Sequence, residues 1–232
     1  MRFFSKRAPE NLGPFSALLA TLVATLLLTP FIAETPHGVS RFRFFGTAVL
    51  LAGLYAVSRR RRLLWAGLAI AVPALALEWA LDVRPLKPLV VAHFALSFCF
   101  LCYTAAVILY TILDEERVTL DTVFGGICVY LMIGLIWVLA YSIVEYLQPG
   151  SFRVDGGPLT RPLDPGEFRH AELMYFSYVT LTTVGYGDIL AKSTPARALA
   201  AAEAVIGSLY LAVFIARLVG LHMVHQRQDL DL

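Results

Sequence analysis

Six apolar stretches, each close to the roughly 17 to 25 residues that a helix needs to cross a bilayer, divide this chain. They run over residues 15–33, 42–58, 63–81, 89–113, 123–147 and 196–222. With 58% hydrophobic and 16% charged residues, against roughly 25% charged in soluble domains, the sequence predicts an all-α integral membrane protein. Between the last two stretches stands Thr182-Thr183-Val184-Gly185-Tyr186-Gly187-Asp188, short, polar and punctuated by glycine. Irregular backbone at membrane depth is tolerated only where it is buried in protein or lines a water-filled path. Gly185 and Gly187 allow dihedrals that other residues avoid, so successive carbonyls can turn to one side. A row of carbonyl oxygens facing one way is a site for a cation.

Orientation follows from the cationic residues near helix ends, because short cytoplasmic loops are enriched in Lys and Arg. With the N-terminus inside, the inner flanks hold Arg2, Lys6, Arg7 and the arginine run 59–62. The outer loops ahead of the fifth stretch hold Arg41, Arg43, Arg84 and Lys87, partly offset by Glu34 and Asp82. An even number of crossings then puts the run 182–188 on the outer side and both termini in the cytoplasm, in a plasma or inner membrane. The basic start also fits a secretory signal peptide, but Thr29-Pro30-Phe31 before Ala33 is a poor cleavage site and the stretch is long for a signal. Cys99, Cys102 and Cys128 fall within predicted spans, which disfavours a disulfide framework or a zinc site. The net charge of +2 reflects orientation, and no nucleic-acid partner and no cofactor are expected.

From residue 123 the order is span, outer segment, short helix, polar run, span. The outer segment 148–170 is rich in Pro and Gly, loop chemistry without an apolar period, and is expected to be an irregular turret. Residues 171–182 would make a helix about 18 Å long, too short to cross, so it must re-enter from outside. Its C-terminus then sits near the bilayer centre, where the helix dipole favours a cation.

The stretch 175–188, Tyr-Phe-Ser-Tyr-Val-Thr-Leu-Thr-Thr-Val-Gly-Tyr-Gly-Asp, resembles the pore helix and filter of tetrameric potassium channels. Residues 123–222 are similar in layout to their two-helix pore module, and the whole chain resembles prokaryotic members with four helices before it. Thr-Val-Gly-Tyr-Gly loops are the known filter of such channels, four of them replacing the hydration shell of potassium with carbonyls. The resemblance implies a homotetramer in membrane lipid, with Thr183, Val184, Gly185, Tyr186 and Gly187 as filter. K+ would sit at oxygens of Thr183, Val184, Gly185 and Tyr186 as permeant ion, with Tyr175, Thr182 and Asp188 as support. Val179 departs from channels that keep a carboxylate behind the filter, which leaves inactivation open.

The implied organisation is a front domain over 1–121, a pore domain over 122–223 and a short tail over 224–232. In the last span Gly207 costs up to about 1 kcal/mol relative to alanine; it reads either as a hinge or as a close contact with the pore helix. Glu203, an ionisable group within a span, is a functional candidate by default. It is expected behind the filter or at the cavity, bonded to a pore-helix hydroxyl, with solvation at the outer interface as the alternative. Arg217, about 30 Å along the helix from Ala196, can snorkel to the inner surface.

The fourth stretch, 89–113, has no Arg or Lys, so the basic stripe that voltage sensing needs is missing. Glu78, Asp82, His93 and Arg84 read as an outer interfacial polar set, with a proton-sensing His93 as the alternative. About ten residues follow His222, so no cytosolic gating ring is expected. The leading function is passive, potassium-selective conduction. A non-conducting, channel-like regulatory subunit is the alternative; a transporter or enzyme is disfavoured by the single filter run and the lack of a catalytic constellation.

Overall fold

The computed structural model describes residues 13–33, 38–58, 61–83, 86–115, 119–154, 157–159 and 170–228. Five long helices come first: α1 (Pro14–Ala33), α2 (Gly38–Val57), α3 (Arg61–Val83), α4 (Lys87–Asp114) and α5 (Leu120–Leu147). Two short strands follow, β1 (Phe152–Val154) and β2 (Gly157–Pro158), then the helix α6 (His170–Leu181), the strand β3 (Ile189–Ala191) and the long helix α7 (Thr194–Gln228).

Local chemistry explains several of these boundaries. A proline stands at the first turn of α4 after an extended Leu86, where its missing N–H costs nothing. Thr119 and Thr122 form a reciprocal capping box at the start of α5, satisfying amides that have no partner within the helix. In α1 the hydroxyls of Thr21, Thr25 and Thr29 donate to the carbonyls of Ala17, Thr21 and Thr25 at 2.9, 2.8 and 2.6 Å. Their polarity is thus spent within the helix, as a hydrocarbon surrounding requires.

Four helices among the described residues are long and apolar enough to cross a membrane: 61–81 of α3, α4, α5 and 194–221 of α7. The apolar parts of α1 and α2 are shorter, Phe15–Phe31 and Phe44–Val57, so the first two of the six expected spans are helices of lesser apolar length. On α3, Trp65 and Trp79 are exposed. The helix α2 starts at Gly38, ahead of the expected 42, and α7 continues to Gln228, through the expected end of its span at 222.

One apolar cluster joins Leu18 and Leu22 of α1, Leu50 of α2, Ala74 of α3, Phe100 of α4 and Met132 of α5. The expected domain boundary near 121 is therefore bridged by packing. A second cluster joins Tyr141 of α5, Phe152 of β1, and Leu173 and Phe176 of α6. Tyr141, Phe152 and Phe176 close a triangle of edge-on rings with centroids 5.2 to 5.3 Å apart, a favoured aromatic geometry.

The outer segment corrects the expected loop reading. Its first half holds β1 and β2, which with β3 from beyond residues 182–188 form a three-stranded antiparallel sheet in the order β2-β1-β3, with Phe152 opposite Ala191, Arg153 opposite Leu190 and Val154 opposite Ile189. Residues 155–156 and 160–169 of the expected turret lie outside the described residues, as do Arg2, Lys6, Arg7, Arg59, Arg60, Arg84 and residues 229–232. The side chains of Arg41, Arg43 and Asp82 lie outside them too.

Candidate functional site

Residues 182–188 leave the C-terminus of α6, and the helix end itself holds their first half. The amides of Val184 and Gly185 both donate to the Val179 carbonyl, at 3.0 and 3.3 Å, and that of Thr183 donates to Thr180 at 2.9 Å. In a trans peptide the carbonyl points opposite to the N–H that follows it. With these three amides turned back toward α6, the carbonyls of Thr182, Thr183 and Val184 face away from it.

The backbone beyond continues the pattern. Thr183, Gly185 and Gly187 have φ of 60°, 56° and 83°, while Val184 and Tyr186 are not in the positive region. Alternating right- and left-handed residues gather successive N–H groups on one side of the chain, which leaves the carbonyls on the other. The glycines adopt this at no steric cost. Thr183 is β-branched and does so against its preference, at about 1 to 3 kcal/mol, so the surrounding hydrogen bonds must impose it. Each of Thr182 to Asp188 is exposed, Tyr186 by 73%, whereas Leu173, Phe176, Ser177 and Leu181 behind them are buried.

The run is held at both ends. The Tyr175 ring lies parallel to that of Tyr186, centroids 6.4 Å apart and planes 4° apart. A hydrogen bond to Asp188, aided by its charge, raises the Tyr175 pKa above the usual phenol value. Thr182 closes the end of α6, its hydroxyl donating to Tyr178 at 2.6 Å. Directly after Asp188, β3 pairs with β1, and the Lys192 amide donates to Ser151 at 2.7 Å. The start of β1 is fixed in turn by the buried Glu145 carboxylate, which accepts from the amides of Gly150 and Phe152 at 2.9 Å each.

Behind α6 lies a buried polar knot. Glu203 of α7 is fully buried and bonds Ser177 of α6, with 2.6 Å between Ser177 Oγ and Glu203 Oε1. The Tyr141 hydroxyl of α5 donates to the other carboxylate oxygen. Ser177 Oγ also lies 2.8 Å from the Gly134 carbonyl of α5. Three helices are thus tied at one point behind the strand, and Glu203 stands there rather than at the outer interface. Tyr178, which donates to the Leu131 carbonyl at 2.7 Å, adds a second tie between α6 and α5.

Gly207 faces the last residue of α6. A Cβ there would lie 2.5 Å from the Leu181 carbonyl oxygen and 2.8 Å from its Cδ1, so close approach alone accounts for the glycine. Arg217, expected to snorkel, bonds within the chain. Its Nη2 donates to the carbonyls of Ile112 and Leu113 at 3.0 and 2.5 Å, joining α7 to the end of α4. Nothing in the sequence around Arg217 announces this partner, because the acceptors are backbone.

Of the expected outer polar set, Glu78 is buried and accepts from Thr47 of α2 at 3.1 Å. His93 Nδ1 lies 3.2 Å from the Ala74 carbonyl of α3. The three cysteines are free, with Cys128 donating to the Phe15 carbonyl at 3.4 Å, and no group of metal-ligating side chains occurs among the described residues.

Residues 129–222 match the model of a family described as "Ion channel". No curated protein and no solved structure gives a match to the chain. The matched region contains most of α5, all of α6, the run 182–188 and the greater part of α7. The match supports ion-channel activity, in a chain with four helices long and apolar enough to cross a membrane among its described residues.

Proposed function

We propose that four copies of this chain surround one axis and conduct K+ selectively and passively, with residues 183–187 of each copy as the filter. The observation that carries this reading is the backbone alternation at Thr183, Gly185 and Gly187, with the amides of the first half turned back on α6. Four such strands facing each other would present stacked rings of oxygen able to replace the water around a potassium ion. The α6 helix, 12 residues long, would aim its negative end at the cavity beneath.

The protomer's own surface supports assembly. Within the apolar window of α7 only 6% of residues are buried, and the whole run 182–188 is exposed. An apolar helix and a polar run left bare are surfaces that neighbouring copies would cover. In this reading α1 and α2 complete six spans, both termini are cytoplasmic, and the membrane is the plasma or inner membrane.

The test is flux from the purified chain in liposomes with K+ and Na+ exchanged across the membrane. Wild type should favour K+, and Gly185→Ser or Tyr186→Asp should abolish conduction or relax that preference while the assembly keeps its size. Equal passage of both ions by wild type, or unaltered selectivity in both variants, would overturn the proposal.

A further inference from the structure

At the buried knot behind α6 the hydrogens can be counted. Tyr141, Ser177 and Glu203 are wholly buried, and α6 lies so close to α5 that a Cβ on Gly134 would sit 2.5 Å from the Tyr178 ring. Three oxygen pairs are in contact: Tyr141 Oη with Glu203 Oε2, Ser177 Oγ with Glu203 Oε1 at 2.6 Å, and Ser177 Oγ with the Gly134 carbonyl at 2.8 Å. Both distances are those of full two-centre O–H···O bonds, so each pair encloses a hydrogen of its own. Two hydroxyls supply two hydrogens, and a carbonyl supplies none. The third has one source, the Glu203 carboxyl. Among the described residues the two hydroxyls are its hydrogen-bond partners, and the titratable groups that interact with it are the phenols of Tyr130 and Tyr141 on α5 and Tyr178 on α6. No cation is among them, and a carboxylate buried without one takes up a proton instead.

We infer that Glu203 is a positioning residue that works as a neutral acid: its proton bonds Ser177, the Ser177 hydroxyl donates to Gly134, and Tyr141 donates to the second carboxyl oxygen. The relay runs one way, from α7 through α6 to α5. It fixes Ser177 two residues before Val179, whose carbonyl holds the amides of Val184 and Gly185. Ionisation leaves two hydrogens for three contacts, so Ser177 must give up either Gly134 or Glu203, and α6 comes loose from α5 or from α7. The consequence for conduction rests on the filter proposed above, whereas the placement of the proton does not.

Infrared spectra of the full-length protein at neutral pH should show the C=O stretch of a protonated carboxyl that is missing from Glu203→Gln. In that variant an amide N–H replaces the acid's donor, and the amide oxygen still accepts from Tyr141. Glu203→Ala, which leaves buried hydroxyls unpaired, should shift the balance between held and released α6 about 5- to 150-fold toward release. This is read as lost K+ flux in liposomes, and Glu203→Gln should recover most of it. Raising the pH should remove the infrared band from wild type and lower its flux and unfolding temperature in step, because the tie is present with the proton and lost without it. Glu203→Gln keeps every tyrosine and should show none of this pH response. The inference is overturned by a wild-type spectrum that lacks the extra band at neutral pH, by a glutamine variant as impaired as the alanine one, or by equal alkaline losses in wild type and the glutamine variant. Equal passage of K+ and Na+ with the band and its pH response intact would strike the filter reading alone. The band and the unfolding temperature need no flux, so they decide the inference even then.

Discussion

Gly207 shows how much one missing methyl group decides. The site of its absent Cβ is already taken by the Leu181 carbonyl and side chain, so Gly207→Ala must push α7 off the end of α6 or move that end itself. Overpacking of this kind costs about 1 to 3 kcal/mol. Thermal unfolding of the purified assembly should register that loss. A role confined to bending would leave stability intact and alter only gating. The sequence left hinge and contact equally open here, because a glycine inside a helix records that space is scarce but not what occupies it. Gly185 and Gly187 were easier to read, whereas the positive φ of Thr183 was not foreseen, because a β-branched residue gives no sign of it. The alternate spacing of the two glycines is a local signal, and the backbone responds to it locally. Glu203 lay between these cases: a carboxyl in an apolar helix demands a partner, yet Ser177 and Tyr141 come from two other helices.

The junction of α4, α5 and α7 is the clearest case at the level of elements. Arg217 holds the terminal carbonyls of α4, while Thr122 of α5 donates to the Glu115 carboxylate just beyond α4 at 2.5 Å. A cation at a helix C-terminus is favoured by the dipole, and a charged hydrogen bond contributes about 1.5 to 3 kcal/mol. Arg217→Gln should therefore let the last turn of α4 fray, measured as faster amide deuterium exchange over residues 109–115, with Arg217→Lys recovering part of the protection. Unchanged exchange in the glutamine variant would show that the contact does not secure α4. Except at the end of α7, which runs six residues past the expected 222, helix positions were legible to within about four residues because each span is a long apolar run with polar ends. The sheet was not legible. Its strands are two or three residues long, too short for an alternating pattern, and β1 meets β3 only because α5 and α6 bring them together.

In the proposed tetramer, ions between the four runs 183–187 would act as ligands of the assembly alone. A dissociated protomer has one strand and no ring, so K+ should stabilise the tetramer by mass action, by about 2.7 kcal/mol at 100 times its dissociation constant. Replacing K+ with Na+ at equal ionic strength should lower the temperature at which the tetramer dissociates; equal temperatures in the two salts would argue against oxygen rings fitted to K+. The overall arrangement was only partly legible, for the same reason that the sheet was hidden. Composition and charge bias describe each span singly, whereas the shared apolar cluster from α1 to α5 depends on which helices become neighbours.

The strand is moored unequally at its two ends. Its mouth is sewn through β3 and β1 to the end of α5, while at its root the amides of Val184 and Gly185 share one Val179 carbonyl beside the Thr183 bond to Thr180. A shared acceptor is the point of give in such a span: weakening the Val179 carbonyl's hold on either amide frees the Thr183 and Val184 carbonyls to turn, without loosening the mouth.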